Sequence, residues 1–151
     1  MTLEIRTTQY APAVFAPVME EAEACDVGFL LRLREEWQSG ALRFDRPGEF
    51  LLGAFAQGTL IGVGGISHDP YEPAEGLGRV RHVYVLEARR REGIARRLMT
   101  EILARAAGSF HTLRLRTSSA EAAALYESLG FRRSDRAGET HRLQISSVSR
   151  P

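Results

Sequence analysis

Residues 80–97 read Val-Arg-His-Val-Tyr-Val-Leu-Glu-Ala-Arg-Arg-Arg-Glu-Gly-Ile-Ala-Arg-Arg, and how this stretch divides decides the fold. The apolar run at 80–85 reads as a strand, and the amphipathic run at 95–107 reads as a helix. Between them lies a short basic loop containing Gly93. Strand, glycine loop, helix is how a chain builds an anion site. The first helical turn leaves backbone N–H groups without partners, and the helix dipole adds partial positive charge there. Gly93 removes the Cβ that would keep a phosphate at a distance. Arg89, Arg90, Arg91, Arg96 and Arg97 supply full charges for the same anion. A lone glycine at a helix start is nevertheless common, and arginine runs usually coat solvated faces. The segment lacks the Gly-Lys-Ser/Thr of a phosphate-binding P-loop and the Gly-x-Gly-x-x-Gly spacing of a dinucleotide site. A second signal is needed.

It lies at 119–131, Ser-Ala-Glu-Ala-Ala-Ala-Leu-Tyr-Glu-Ser-Leu-Gly-Phe. Together the two segments resemble the GCN5-related N-acetyltransferase (GNAT) superfamily. Arg90, Gly93 and Ala95 fill the places of its acetyl-CoA loop, Arg/Gln-x-x-Gly-x-Gly/Ala, and Val83-Tyr84-Val85 stands where the preceding strand commonly ends Leu-Tyr-Val. Ala122, Leu125, Tyr126, Gly130 and Phe131 match the second motif, Asn-x-x-Ala-x-x-Leu-Tyr-x-x-x-Gly-Phe, with Ser119 in place of Asn. The motifs occur in the family's order, and the resemblance covers residues 59–145 well and the earlier part in outline.

Bulk properties agree with an ordinary globular chain. At 151 residues it has room for one domain, residues 1–151 with a frayed tail from 146, burying on the order of 70% of its unfolded surface. Hydrophobic content of 44%, charged content of 26% and a net charge of +1 give no push toward nucleic acid or an anionic membrane. Positive charge is instead local, at 89–97 and 114–116, which favours a small anionic ligand. One cysteine, Cys25, rules out an internal disulfide and suits a reducing cytoplasm; it reads as a passive, at least half-buried thiol on a helix. The N-terminus lacks the pattern of a signal peptide, and no apolar run approaches the roughly 20 residues of a membrane span. The expectation is a cytoplasmic protein with neither nucleic-acid nor membrane partners. No metal site is read from the sequence.

Along the chain, residues 3–6 alternate as a first strand. Residues 13–38 carry helical spacing in two pieces, striped by Val14, Val18, Ala22 and Cys25 and then by Phe29, Leu30, Leu33 and Trp37. Asp26 is placed as the N-cap between them, and Gly40 as the stop. A hairpin follows, with strands at 50–56 and 59–66 about a Gln57-Gly58 turn. The prolines at 70 and 73 make 68–76 a loop. Residues 110–117 alternate strictly, with Leu113 and Leu115 inward and Arg114 and Arg116 outward. A helix at 119–128 is closed by Gly130, and strands at 131–133 and 141–145 end the chain.

The resulting order, β-α-α-β-β-β-α-β-α-β-β, resembles the GNAT α/β fold, a mixed, mostly antiparallel seven-stranded sheet with helices on both faces. The resemblance implies that two parallel strands, 79–85 and 110–117, splay to admit the pantetheine arm of acetyl-CoA, which pairs with backbone at Val83 and Val85. It implies pyrophosphate contacts from Arg90 and the N–H groups of Arg91, Gly93, Ile94, Ala95 and Arg96, a pantetheine contact from Ser119, and an amide at Val85 facing the thioester oxygen. Tyr126 matches the tyrosine that protonates the leaving thiolate; without the resemblance it reads as a core tyrosine. The family often carries a glutamate base where Arg79 stands here, which leaves the base unassigned. His82 is the catalytic alternative on the same strand, though a lone histidine is more often structural, and Glu35, Glu36, Asp69, Glu72 and Glu75 are groove candidates. The activity implied is acetyl transfer from acetyl-CoA to a primary amine of a small molecule or amino-acid-like acceptor. Alternatives are transfer to protein N-termini or lysines, and acyl-CoA sensing without turnover. A homodimer is the family's expectation for assembly.

Overall fold

The computed structural model describes residues 2–145, so the expected frayed tail lies outside the described residues. The elements run β1 (Leu3–Thr7), α1 (Pro12–Cys25), α2 (Gly28–Ser39), β2 (Phe50–Ala56), β3 (Thr59–His68), β4 (Leu77–Val85), α3 (Ile94–Ala106), β5 (Thr112–Leu115), α4 (Ala120–Ser128), β6 (Arg132–Arg133) and β7 (His141–Gln144). The strands form one seven-stranded sheet in the order β1-β2-β3-β4-β5-β7-β6. Every pairing is antiparallel except β4 with β5. The expected α/β architecture and element order are found.

Two apolar layers sandwich the sheet. On one face α3 seats Leu98, Met99 and Ile102, all 0% exposed, against Ile61, Ile66, Val80 and Leu113. Complete burial of such side chains stabilises by roughly 1.5–3 kcal/mol each. On the other face Phe15, Val18 and Ala22 of α1 and Leu30 and Leu33 of α2 pack on Leu51, Leu60 and Val63. No helix among the described residues is long and apolar enough to cross a membrane.

Local chemistry explains the turns. Gln57 (φ 52°) and Gly58 (φ 83°) give the two left-handed residues that a tight hairpin between twisted strands requires. α4 ends in a paired cap, with Phe131 N–H donating to Tyr126 C=O and Gly130 N–H to Glu127 C=O, both at 3.1 Å. Gly130 at φ 104° makes that reversal possible. The Tyr-x-x-x-Gly-Phe spacing is therefore a helix stop that returns Phe131 onto Tyr126, with ring centroids 5.8 Å apart.

Several expectations are corrected. Asp26 is not an N-cap: it ends α1 in the left-handed region, its N–H donating to Ala22 C=O, and α2 starts after Val27 without a side-chain cap. The α1 stripe is rotated, burying Phe15 and Met19 while Val14 is exposed. Cys25, at the last turn, is exposed rather than covered. β3 runs two residues further than read, and β4 starts earlier, at Leu77. The largest departure is Arg114, which is 2% exposed where strand alternation predicts a solvated side chain. The 69–76 loop and the β6–β7 turn cover that face. They bring Asp69 to Arg114 Nε at 2.6 Å and Nη2 at 2.9 Å, and Glu139 to Nη1 at 3.0 Å.

Candidate acyl-transfer cleft

β4 and β5 pair over only three residues, Leu77 with Thr112, Gly78 with Leu113 and Arg79 with Arg114. β4 then continues to Val85 while β5 stops at Leu115. What drives them apart is visible on the β3 side. There Val63 pairs with Tyr84 and Gly65 with Arg81, so two residues of β4, His82 and Val83, oppose Gly64 alone. This bulge bends the strand away from its neighbour, and His82 carries it at φ 61°.

The bond from Leu86 N–H to Ile61 C=O at 2.9 Å fixes which backbone groups face which way. Because Tyr84 and Leu86 face β3, the N–H and C=O groups of Val85 and, by the same alternation, Val83 face the gap. No strand of the described residues pairs with them there.

The gap opens into a cleft of about 960 Å³ that passes from the α3 side of the sheet to the α2 side. Val83 and Val85 line its middle; Arg90, Arg91, Gly93, Ile94, Ala95 and Arg96 line its α3 end; Ser119, Tyr126 and His82 also border it. The eleven residues read from the sequence as cofactor contacts or, for Tyr126 and His82, as catalytic candidates therefore all border one cleft.

At the α3 end the first intrahelical bond is Arg97 N–H to Gly93 C=O, 3.1 Å. The N–H groups of the preceding first-turn residues thus have no helical partner, and no side chain caps the helix. Gly93 sits at φ 80°, and a Cβ there would meet nothing within 4 Å, so the approach is open. Together with the unpaired strand edge, this fits a ligand with a phosphate end and an amide-bearing arm. Arg90 has a second role not read from sequence: its Nε donates to Val85 C=O at 3.0 Å, and its guanidinium lies over the Tyr84 ring, 5.1 Å from the centroid. The Tyr84 hydroxyl in turn donates to Glu21. Arg96 bonds Ser128 Oγ at 2.8 Å, tying α3 to α4. Ser119 accepts from Ala122 N–H at 3.1 Å as the α4 N-cap, leaving its own hydroxyl hydrogen for another acceptor.

Tyr126 is buried, and among the described residues its hydroxyl has no hydrogen-bond partner. Burial pushes it up to about 12, because the phenolate would lie in an apolar surround. His82 is buried too, with neither ring nitrogen hydrogen-bonded. Burial and then the Arg81 charge push it down to about 3, so it is neutral at pH 7. Glu36 Oε1 lies 3.9 Å from its Nε2.

Arg79, at the family's glutamate place, is held by Gly138 C=O at 2.8 Å and Asp69 at 3.4 Å, with its guanidinium over Tyr71. The proposed groove carboxylates Glu35, Glu36, Asp69, Glu72 and Glu75 do not border the cleft. Asp69 is engaged by Arg114 and caps the N–H groups of Tyr71 and Glu72 at 2.8 Å each. Arg32 and Arg81 do border the cleft and were missed in the sequence, because one reads as the solvated face of a helix and the other as an outward strand residue.

A family model described as an acetyltransferase (GNAT) domain matches residues 47–133. The chain is 38% identical over 91 residues to the N-alpha-acetyltransferase RimI of Mycobacterium tuberculosis, a match covering 58% of this chain and 54% of that protein. It thus spans about half the length of that curated relative. Among solved structures, a protein from Exiguobacterium sp. 255-15 taken to be an acetyltransferase superposes with a TM-score of 0.83 at 23% identity, over 95% of this chain and 94% of that one. A ribosomal-protein-alanine N-acetyltransferase from Brucella melitensis gives 0.66 at 23% identity, over 93% and 96%. A Salmonella typhimurium protein of the same presumed class, solved with its cofactor acetyl-CoA, gives 0.70 at 17% identity, over 100% and 98%. These structural likenesses carry the fold.

Proposed function

The chain belongs to the GNAT acetyltransferase family, an acetyl-CoA-using family, and from that premise we propose that it acetylates a primary α-amino group. The observation that supports this most directly is the unpaired β4 edge at Val83 and Val85 leading to the uncapped N-terminus of α3. Acetyl-CoA, when bound, supplies an acetyl group activated as a thioester. The first-turn N–H groups of α3, with Arg91, hold phosphate. Arg90 steadies the strand edge through Val85 C=O. The Val85 N–H, facing the gap, donates where negative charge develops on oxygen. Tyr126 holds a proton at its hydroxyl for the departing thiolate, whose thiol titrates near ~8.5 in water.

The acceptor class follows from what the site lacks. A lysine amine (pKa ~10.4) costs about 4–5 kcal/mol to deprotonate at pH 7, whereas an α-amine (pKa ~7.7–8.0) costs about 1 kcal/mol. Among the described residues no carboxylate borders the α2 side of the cleft, and His82, pushed down to about 3 with both ring nitrogens buried, is a weak base. An α-amine needs no strong base. The name of the relative RimI supports the same choice, and a peptide N-terminus presents such a group, whereas in a free amino acid the neighbouring carboxylate raises the ammonium pKa and narrows the advantage over lysine.

Calorimetric titration with acetyl-CoA followed by thiol release over an amine panel tests this. Saturable binding with turnover on α-amines is expected. Binding with no turnover would favour the sensor reading, and no binding would overturn the assignment of the cleft. Gly93→Glu is expected to weaken acetyl-CoA binding about 10- to 100-fold, since it puts a carboxylate and a strained left-handed residue at the anion end. Arg90→Ala is expected to weaken it about tenfold. Unchanged affinity in both would show that the phosphate loop is misassigned.

A further inference from the structure

Among the described residues the charges bordering the cleft are eight arginines against one glutamate, Glu121. Those at the α3 end have an obvious anion in the phosphates. Those on the α2 side, Arg32, Arg79 and Arg81, do not, because the sheet separates them from that end: α3 packs on one face and α2 on the other.

Among the described residues Arg79 and Arg81 each have one acid beside them, at long range, and Arg32 has none. Asp69 already receives two short bonds from Arg114, and its contact with Arg79 is the longer one at 3.4 Å. Glu36 lies 3.5 Å from Arg81 Nη2, yet its Oε1 is buried without a hydrogen bond. Phe29 (41% exposed) and Tyr71 (61% exposed) border the same mouth and offer apolar surface to whatever enters.

A simple cationic amine would be repelled from this wall. An amine that carries its own carboxylate is neutral overall, and a planar guanidinium matches a carboxylate in a two-pronged contact. Building on the acetyltransferase reading, we infer that the acceptor bears a carboxylate beside its amine, seated by Arg32 with Arg81 on the α2 side of the cleft. The same positive field favours loss of the ammonium proton, which supplies part of what a missing carboxylate base would do. Arg32 is thus a specificity-determining residue, and the substrates are acidic α-amines: free amino acids, or peptides whose first residue is Asp or Glu.

The test compares matched pairs at saturating acetyl-CoA by thiol release. Alanine against alanine amide probes an α-carboxylate; the peptide amides Glu-Ala-Ala and Gln-Ala-Ala probe a side-chain carboxylate. The carboxylate-bearing member of at least one pair is expected to win by tenfold or more in kcat/KM, and the winning pair identifies the source. Arg32→Ala should reduce that preference to under about threefold, and Arg32→Lys should keep part of it, with unchanged melting temperatures showing that both fold. Equal rates, preference for the neutral members, or a preference untouched by Arg32→Ala would overturn the inference. So would failure to turn over any of the four while acetyl-CoA binds in calorimetry. Absence of acetyl-CoA binding would instead strike the underlying acetyltransferase reading.

Discussion

Replacing Tyr126 with phenylalanine is expected to slow acetyl transfer by about 10²- to 10⁴-fold, the range for losing a positioned proton donor, while acetyl-CoA affinity changes by less than about threefold. The structure makes this a clean substitution. The hydroxyl has no partner among the described residues, so none is orphaned. The ring contacts with Phe131 (5.8 Å) and His141 (6.5 Å) survive in phenylalanine. Stability should therefore move by less than about 1 kcal/mol. The pH profile carries an independent check. Tyr126 works in its protonated form and loses that form only as pH rises through its pKa. Burial places that value at about 12. The rate should climb as the α-amine deprotonates near ~8 and then stay level to at least pH 10. A full rate in the phenylalanine variant would show that water or another residue protonates the thiolate.

The second large effect concerns stability. Asp69→Asn removes the charge that faces two buried guanidinium nitrogens of Arg114, at 2.6 and 2.9 Å. Taking the closer of its acids from a buried cation that keeps Glu139 at 3.0 Å costs at most about 3–5 kcal/mol, which a lowered urea midpoint at unchanged slope would report. The same cluster sets an acid limit. Burial alone would raise Asp69, but Arg114 and the N–H groups of Tyr71 and Glu72 hold it down at about 2. Glu139, also lifted by burial, is held at about 2 by Arg142 and Arg114. Both values lie below those of the free side chains. The stability these groups contribute is therefore complete above about pH 4.5 and lost as pH falls toward 2, on the order of 2 kcal/mol for each. In Asp69→Asn the wild-type slope across that window should flatten. Because Arg114 also holds Ala137 C=O at 3.0 Å, the cluster ties the 69–76 loop to the β6–β7 turn, and Tyr71 and Gly138 border the cleft from those two segments. A raised acceptor KM should accompany the lost stability.

What was readable in the sequence was local. The helix stop at Gly130-Phe131 is written in six consecutive residues, 126–131, and the same hydrogen bonds that end α4 also locate Tyr126. The glycine loop before α3 is equally self-contained, as is the Gln57-Gly58 hairpin. What escaped depended on partners distant in the chain. Arg114 looks like a solvated strand residue because nothing near it in sequence announces Asp69, 45 residues earlier, or Glu139, 25 residues later. Arg32 and Arg81 become neighbours of the cleft only when α2 packs on β4. His82 could not be oriented by alternation, since the bulge it carries has no one-residue signature. Asp26 has the chemistry of either helix end, and only the backbone at Val27 decides between them.

That bulge divides the duties of a single strand. Ahead of it, Gly78 and Val80 turn toward the α3 layer while Arg79 and Arg81 turn toward the α2 side. Beyond it the parity is reversed: Val83 and Val85 serve the α3 layer, and Tyr84 the α2 layer. One inserted residue is thus a half-period phase shift, letting β4 be charged toward one layer upstream and aliphatic toward the other downstream without violating the pleat. Removing residue 82 would leave Val83, Tyr84 and Val85 on their present faces, opposite Gly64, Val63 and Gly62, and would take away only the bulge and with it the bend that carries β4 away from β5. The length of this strand is consequently as much a part of the site as any side chain in it.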